Sequence, residues 1–229
     1  MKPFLNFEQI AEKVVQFCLS TKRKFIFISG NGGSGKTELS KDIFNEASKN
    51  GIANVLYMDD FVVDTELRNN AIATWDDVVN GEQKGRYTSS LEASYFLQNV
   101  KAIIYNLENG NNYYHWPKKS VDSKESHLLY ADANLTIIEG VGTVFLNKDK
   151  EKSLSIFMQC DKEVEITRRI KRGKHSNEKS EEEVRIKFRE RDSQYKTFIE
   201  PHIHEHDLVL ESLKDFSVNV IRDNYKVIL

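Results

Sequence analysis

The consecutive residues Gly30-Asn31-Gly32-Gly33-Ser34-Gly35-Lys36-Thr37 fit the spacing GxxxxGK[ST]. Glycines let a short turn curl so that successive backbone N–H groups converge on an oxyanion, and a helix starting there adds the positive end of its dipole. Lys36 brings a point charge to phosphate oxygens, and Thr37 a hydroxyl of the kind that ligates Mg²⁺. The pattern has this meaning only between a strand and a helix. Residues 24–29 (KFIFIS) read as a short buried strand, and Leu39, Ile43, Phe44 and Ala47 share one face of a helix over 38–49. The whole run 30–37 is therefore expected to cradle nucleotide phosphates.

Acids and cations further along the chain extend that chemistry. Asp59 and Asp60 follow a second apolar run, where a carboxylate can accept the proton of an attacking hydroxyl, although paired Asp residues there also begin loops or cap helices. Glu139 ends a third run (TIIE) and would hold Mg²⁺ directly or through water; a charged strand terminus is the plainer alternative. Arg168, Arg169 and Arg172 crowd one helix with Lys171, at spacings that put Arg172 beside the other two arginines. Such a cluster can close over bound nucleotide and neutralise a transferring phosphoryl group, or form a solvated basic face. Tyr113-Tyr114-His115-Trp116 could stack on a planar substrate or lie as core under a hairpin. His202-Ile203-His204-Glu205-His206 puts alternate histidines on one face if extended, without the acidic ligands and spacing of a zinc site.

The elements that must position these groups alternate. Apolar β-rich runs at 25–29, 54–58, 135–139, 154–160 and 207–210 are separated mostly by helical or loop segments, which predicts a three-layer α/β fold with a mainly parallel five-stranded sheet and helices on both faces. Ligands of such sheets sit at the carboxyl ends of the strands, where Gly30, Asp59, Glu139 and Asp161 all fall. Phe7, Ile10, Val14, Phe17 and Cys18 predict an amphipathic helix covering one edge of the sheet. Residues 89–107 predict one long helix, and 163–172 and 181–199 two more around the polar stretch 173–180, so that a mobile lid is expected over about 168–180. Residues 217–221 and 225–228 predict a terminal hairpin.

At 229 residues with no Pro-, Gly- or Ser-rich linker, residues 1–229 are read as one domain. A net charge of −2 gives no global basic field for nucleic acid or an anionic membrane, so the expected partner is a small molecule; a homo-oligomer is left open. Cys18 and Cys160 stand in apolar settings far apart, which suits buried thiols of a reducing compartment, the cytoplasm. No apolar run reaches transmembrane length, and Glu8, Glu12 and Lys13 break the N-terminal stretch, unlike a secretory signal.

Over most of the chain these motifs resemble the uridine kinase family of P-loop kinases, with relatives among the phosphoribulokinases and bacterial pantothenate kinases. SGNGGSGKT is similar to that family's phosphate loop, YMDDF to its strand-two motif, IIEGVG to its Glu-Gly-Ile/Val segment, EITRRIKRG to its lid arginine helix, and QYKTFIEPHIHEHDLVL to the segment before its last core strand. The resemblance implies a P-loop NTPase fold and an ATP- and Mg²⁺-dependent kinase acting on a hydroxyl of a small molecule. It makes Asp59 the catalytic base beside the acceptor, Thr37 and Glu139 the magnesium residues, and Arg169 and Arg172 the lid cations with Arg168 at the nucleotide. Tyr114 and Trp116 are similar to residues lining a nucleoside pocket, with His115 in place of an acid. The family's Asn-Phe-Asp-His-Pro segment is absent, Thr74-Trp75-Asp76-Asp77 is a loose counterpart, and Lys119 stands about where a pocket histidine belongs. The acceptor is therefore open among nucleosides, sugars, vitamins and antibiotics, and an NTP-dependent regulatory protein is the reading from another class.

Overall fold

The computed structural model describes residues 4–77, 80–118, 126–175 and 180–228, without the side chains of 173–175. Along the chain run α1 (Phe7–Ser20), β1 (Phe25–Gly30), α2 (Lys36–Ser48), β2 (Ala53–Tyr57), α3 (Thr65–Asn70) and a hairpin of β3 (Ile72–Asp77) and β4 (Gly81–Arg86). There follow α4 (Leu97–Glu108), a short hairpin of β5 (Tyr113–His115) and β6 (His127–Leu129), β7 (Leu135–Glu139), β8 (Ser153–Gln159), α5 (Lys162–His175), α6 (Glu181–Phe198), β9 (Leu208–Ser212) and β10 (Val218–Asp223).

The main sheet has the order β10-β9-β8-β1-β7-β2, parallel except for β10 against β9. Alternation along β1 divides two layers. Ile26 and Ile28 join α1, α2 and the same face of β7, β8 and β9, while Phe25 and Phe27 join α4, Leu56 and Ile138 on the other side. Both faces are thus covered, as an almost continuously apolar parallel sheet requires. Strand β1 lies between β7 and β8, so its end at Gly30 opens centrally on the carboxyl edge.

Four sequence expectations change. The sheet has six strands rather than five, because 218–223 pairs with β9 and closes an edge that would otherwise present unpaired backbone groups. No terminal hairpin forms from 225–228; the Asp223 carboxylate accepts the Val227 and Ile228 N–H groups at 2.8 Å each, and both residues are buried against the α1 layer. Helix α1 packs on that face beside α2 rather than along an edge. The helix expected over 89–107 begins only at Leu97. Before it, Ser94 Oγ donates to Thr88 O at 2.6 Å and Thr88 Oγ1 accepts from Ser90 N at 3.2 Å, local bonds that compete with a helical ladder. Phe96, just before that helix, is exposed.

The histidine-rich segment is structural. His206 is fully buried edge-on to Phe157, its Nδ1 bonds His202 O at 2.8 Å, and burial pushes its pKa down to about 4. His202 instead faces Glu205, 3.1 Å away. Because the folded pKa of His206 lies below the unfolded one, its stabilising neutral form is complete above about pH 6.5 and is lost as pH falls toward 4. Denaturant unfolding at pH 7 and pH 4.5 should show a loss in wild type that is smaller in His206→Gln, the full difference being on the order of 3 kcal/mol. Equal losses in the two proteins would remove His206 from the acid response.

Candidate active site

The turn between β1 and α2 is held from several sides. Gly35, the residue before α2, provides no side-chain cap, which leaves the first-turn N–H groups of α2 open to an anion. The Asn31 side chain, expected at the nucleotide, is used inside the protein: Nδ2 donates to Glu165 Oε2 at 2.7 Å and Cys160 O at 3.3 Å, and Oδ1 accepts from Cys160 N at 3.2 Å. Its carbonyl accepts the Lys36 ammonium at 2.9 Å. At Gly32 a Cβ would lie 1.8 Å from the Arg169 guanidinium, so a side chain there would displace the end of that arginine. Lys36 is 8% exposed; burial lowers its pKa, and Glu139, first among the opposing charges, raises it. A buried ammonium so placed gains most from an anionic ligand.

Glu139 closes β7 opposite Thr37, with Oε2 3.3 Å from Thr37 Oγ1. Gly140 makes that placement possible: at φ 145° it adopts a backbone conformation that L side chains rarely take, and a Cβ would meet Met58 Cβ at 2.6 Å. Glu139 is 7% exposed, and burial raises its pKa, with Lys36 pulling it down and Asp59 pushing it up. One hydroxyl and one carboxylate side by side at a phosphate loop suit Mg²⁺, which keeps several waters and takes its other ligands from phosphates. Among the described residues no group of three or more His, Cys, Asp or Glu gathers elsewhere for a metal.

The 3₁₀ turn Met58–Phe61 after β2 separates the two candidate acids. Asp59 lines the cleft with Lys36, Thr37 and Glu139. Asp60 turns away, its carboxylate 3.2 Å from His115 Nε2 and accepting Lys118 N–H at 3.0 Å. His115 also stacks on Phe61. Tyr114 and Trp116, expected to line a substrate pocket, do not line the cleft; they are 57% and 67% exposed. Strand alternation accounts for this, because turning His115 inward sends residues 114 and 116 outward. Lys119 lies outside the described residues.

Helix α5 splits its arginines. Arg169 and Arg172 line the cleft, Arg169 paired with Glu165 at 2.7 Å. Arg168 does not: it donates to Gly33 O at 2.8 Å and Ser212 Oγ at 3.0 Å, and its guanidinium lies 4.1 Å from the Phe216 ring centre. Adjacent helical positions diverge by about 100°, so only one of the pair 168/169 faces the cleft. The stretch 176–179, most of the expected lid beyond α5, lies outside the described residues. Sequence reasoning missed Arg68 on α3, Ser89, Lys118 and Arg191 on α6, which line the same cleft of about 400 Å³. No spacing marks Arg191 among the alternating charges of 181–191, and Arg68 falls in a short helix too weakly periodic to be read.

A phosphate loop after the central strand, a Thr–Glu pair beside it, an acid after β2 and arginines closing from α5 define the class of P-loop kinases. Within that class the chain belongs to the phosphoribulokinase/uridine kinase family, whose sequence model matches residues 25–219. Solved structures agree in fold. A D-glycerate 3-kinase from Cryptococcus neoformans is 12% identical with a TM-score of 0.66, over 94% of this chain and 99% of that one. Phosphoribulokinase from Rhodobacter spheroides is 13% identical with a TM-score of 0.57, over 84% and 71%. A putative fructose transport system kinase from Silicibacter sp. TM1040 is 15% identical with a TM-score of 0.56, over 83% and 94%. No curated protein sequence matches the chain significantly.

Proposed function

We propose that the protein is an ATP- and Mg²⁺-dependent kinase that transfers the γ-phosphoryl group to a hydroxyl of a small molecule. The convergence of Lys36, Thr37, Glu139, Asp59 and Arg169 on one cleft carries this reading. Open N–H groups of α2 and the Lys36 ammonium bind the β- and γ-phosphates. Thr37 and Glu139 would hold Mg²⁺, which would supply neutralisation of phosphate charge. Asp59 orients the acceptor hydroxyl and takes its proton as the acceptor oxygen bonds to phosphorus and the bond to the β-phosphate oxygen breaks, releasing ADP. Arg169 and Arg172 neutralise charge developing on the transferring group.

No aromatic side chain lines the cleft among its described residues, which disfavours a stacked nucleoside acceptor. The fold relatives that carry the names of sugar and sugar-acid kinases favour a small hydroxylated metabolite instead. Both cysteines are buried and unbonded, in keeping with a reducing cytoplasm, and no helix among the described residues is long and apolar enough to cross a membrane. The test is ADP formation with ATP and Mg²⁺ across sugars, sugar acids, vitamin precursors and nucleosides. Acceptor-dependent turnover well above the background ATPase rate is expected; only background with every acceptor would favour the NTP-dependent regulator.

A further inference from the structure

Beyond the cations that serve the nucleotide, two arginines in the cleft have no acidic partner. Arg68 donates Nε to Val63 O at 2.8 Å and an amino nitrogen to Thr65 Oγ1 at 3.2 Å, and makes no ion pair among the described residues. Arg191 likewise has no ion pair there, and its buried Nε has no hydrogen-bond partner. Their neighbours differ: Arg86 is bound to Glu190 and Arg169 to Glu165. Burial pulls the Arg191 pKa down to about 10, reinforced by the positive fields of Arg169, Arg86 and Arg68. Guanidinium groups gathered in a part-buried cleft without an ion-pair partner of their own are costly unless a ligand supplies the anion.

Where they come from separates them from the phosphate loop. Arg68 lies on α3, directly after the Asp59 turn, and Asp59 contributes to its field. Arg191 lies on α6, which the β3–β4 hairpin holds in place: Trp75 Nε1 donates to Ser193 Oγ at 3.2 Å, Ser193 Oγ donates to Asp77 Oδ2 at 2.9 Å, and Gln194 Nε2 donates to Arg86 O at 2.8 Å. The γ-phosphate already has Lys36, the start of α2 and Arg169. Arg68 and Arg191 line the same cleft as Asp59, from elements other than the phosphate loop and α5.

We propose that the acceptor is an anionic hydroxy compound whose carboxylate or phosphate ester is gripped by Arg68 and Arg191 while its hydroxyl lies at Asp59. This rests on reading the cleft as a kinase site. Guanidinium forks meet both oxyanions bidentately, so the shared chemistry is the oxyanion and the experiment separates its two sources.

ADP formation is measured with three acceptor panels: hydroxy acids, sugar monophosphates, and neutral sugars, polyols and nucleosides. Turnover is expected with one anionic panel alone, and which one identifies carboxylate or phosphate. Arg68→Gln and Arg191→Gln should each raise the KM of that acceptor about tenfold or more, with kcat changed less and ATP affinity retained. Efficient turnover of a neutral acceptor, or a loss of ATP affinity in place of acceptor affinity, would overturn the proposal. In parallel, calorimetry on protein saturated with a non-hydrolysable ATP analogue and Mg²⁺ titrates inorganic phosphate and malonate. Binding of at least one that is abolished in both variants supports the anion site even if no panel turns over, in which case the kinase reading alone falls. Binding of neither anion, or binding indifferent to both substitutions, overturns the anion site whatever the turnover.

Discussion

Asp59→Asn is expected to lower kcat by on the order of 10³ while ATP affinity stays within about twofold of wild type. The amide keeps the size of the carboxylate and its ability to accept a hydrogen bond but cannot take a proton. Asp59 lines the cleft without a side-chain hydrogen bond or ion pair among the described residues, whereas Asp60 is engaged by His115 and the Lys118 N–H. Asp60→Asn should accordingly reduce stability modestly and leave kcat near wild type. Steady-state kinetics beside calorimetric ATP titration checks both variants. A dead Asp60→Asn with an active Asp59→Asn would shift the base by one residue, and normal turnover in both would remove the acid from the chemistry.

Lys36→Met should be inactive for a different reason. Its Nζ lies on the Asn31 carbonyl at the turn that receives the phosphates, so charge is lost from the ground state and the transition state together. ATP is expected to bind on the order of ten- to a hundredfold more weakly, and turnover to fall by about 10³ or more. A second effect follows from Glu139, whose carboxyl Lys36 holds down against burial. Without the ammonium that carboxyl binds its proton more tightly, and residual Mg²⁺-dependent ATP binding should weaken at a higher pH than in wild type. Unchanged ATP affinity in a folded Lys36→Met protein would take the loop out of the site.

The strand–turn–helix setting of residues 30–37, the placement of Asp59 and Glu139 at strand ends and the mainly parallel sheet were legible because each leaves a local pattern: a fixed spacing, or an acid at the end of an apolar run. Less local features were hidden. Arg168 and Arg169 look equivalent in sequence, and only the packing of α5 against the loop turns one into the cleft and the other toward Ser212 and Phe216. Tyr114 and Trp116 carried the right side chains for a base-stacking pocket, but the inward turn of His115 toward Asp60 reversed the strand's faces. Arg68 and Arg191 lie 123 positions apart by their numbering and meet only because α3 and α6 border one cleft. The break before α4 came from hydroxyl-to-backbone bonds that compete with a helix without leaving a periodic trace.

The anchoring of α5 limits where its parts can be exchanged. Glu165 is tied to Asn31, and Arg168 to Gly33 and Ser212, so the first half of the helix is fastened to the phosphate loop and to the end of β9. Arg172 and the rest of α5 lie beyond those ties. Any swing of that segment must flex the helix after Arg169, with the anchored half as fulcrum. A chimera that imports a relative's segment between residue 170 and the start of β9 would leave Asn31, Gly33, Glu165, Arg168 and Ser212 in place, whereas one spliced at the start of α5 would replace two of the fastenings that shape the loop itself.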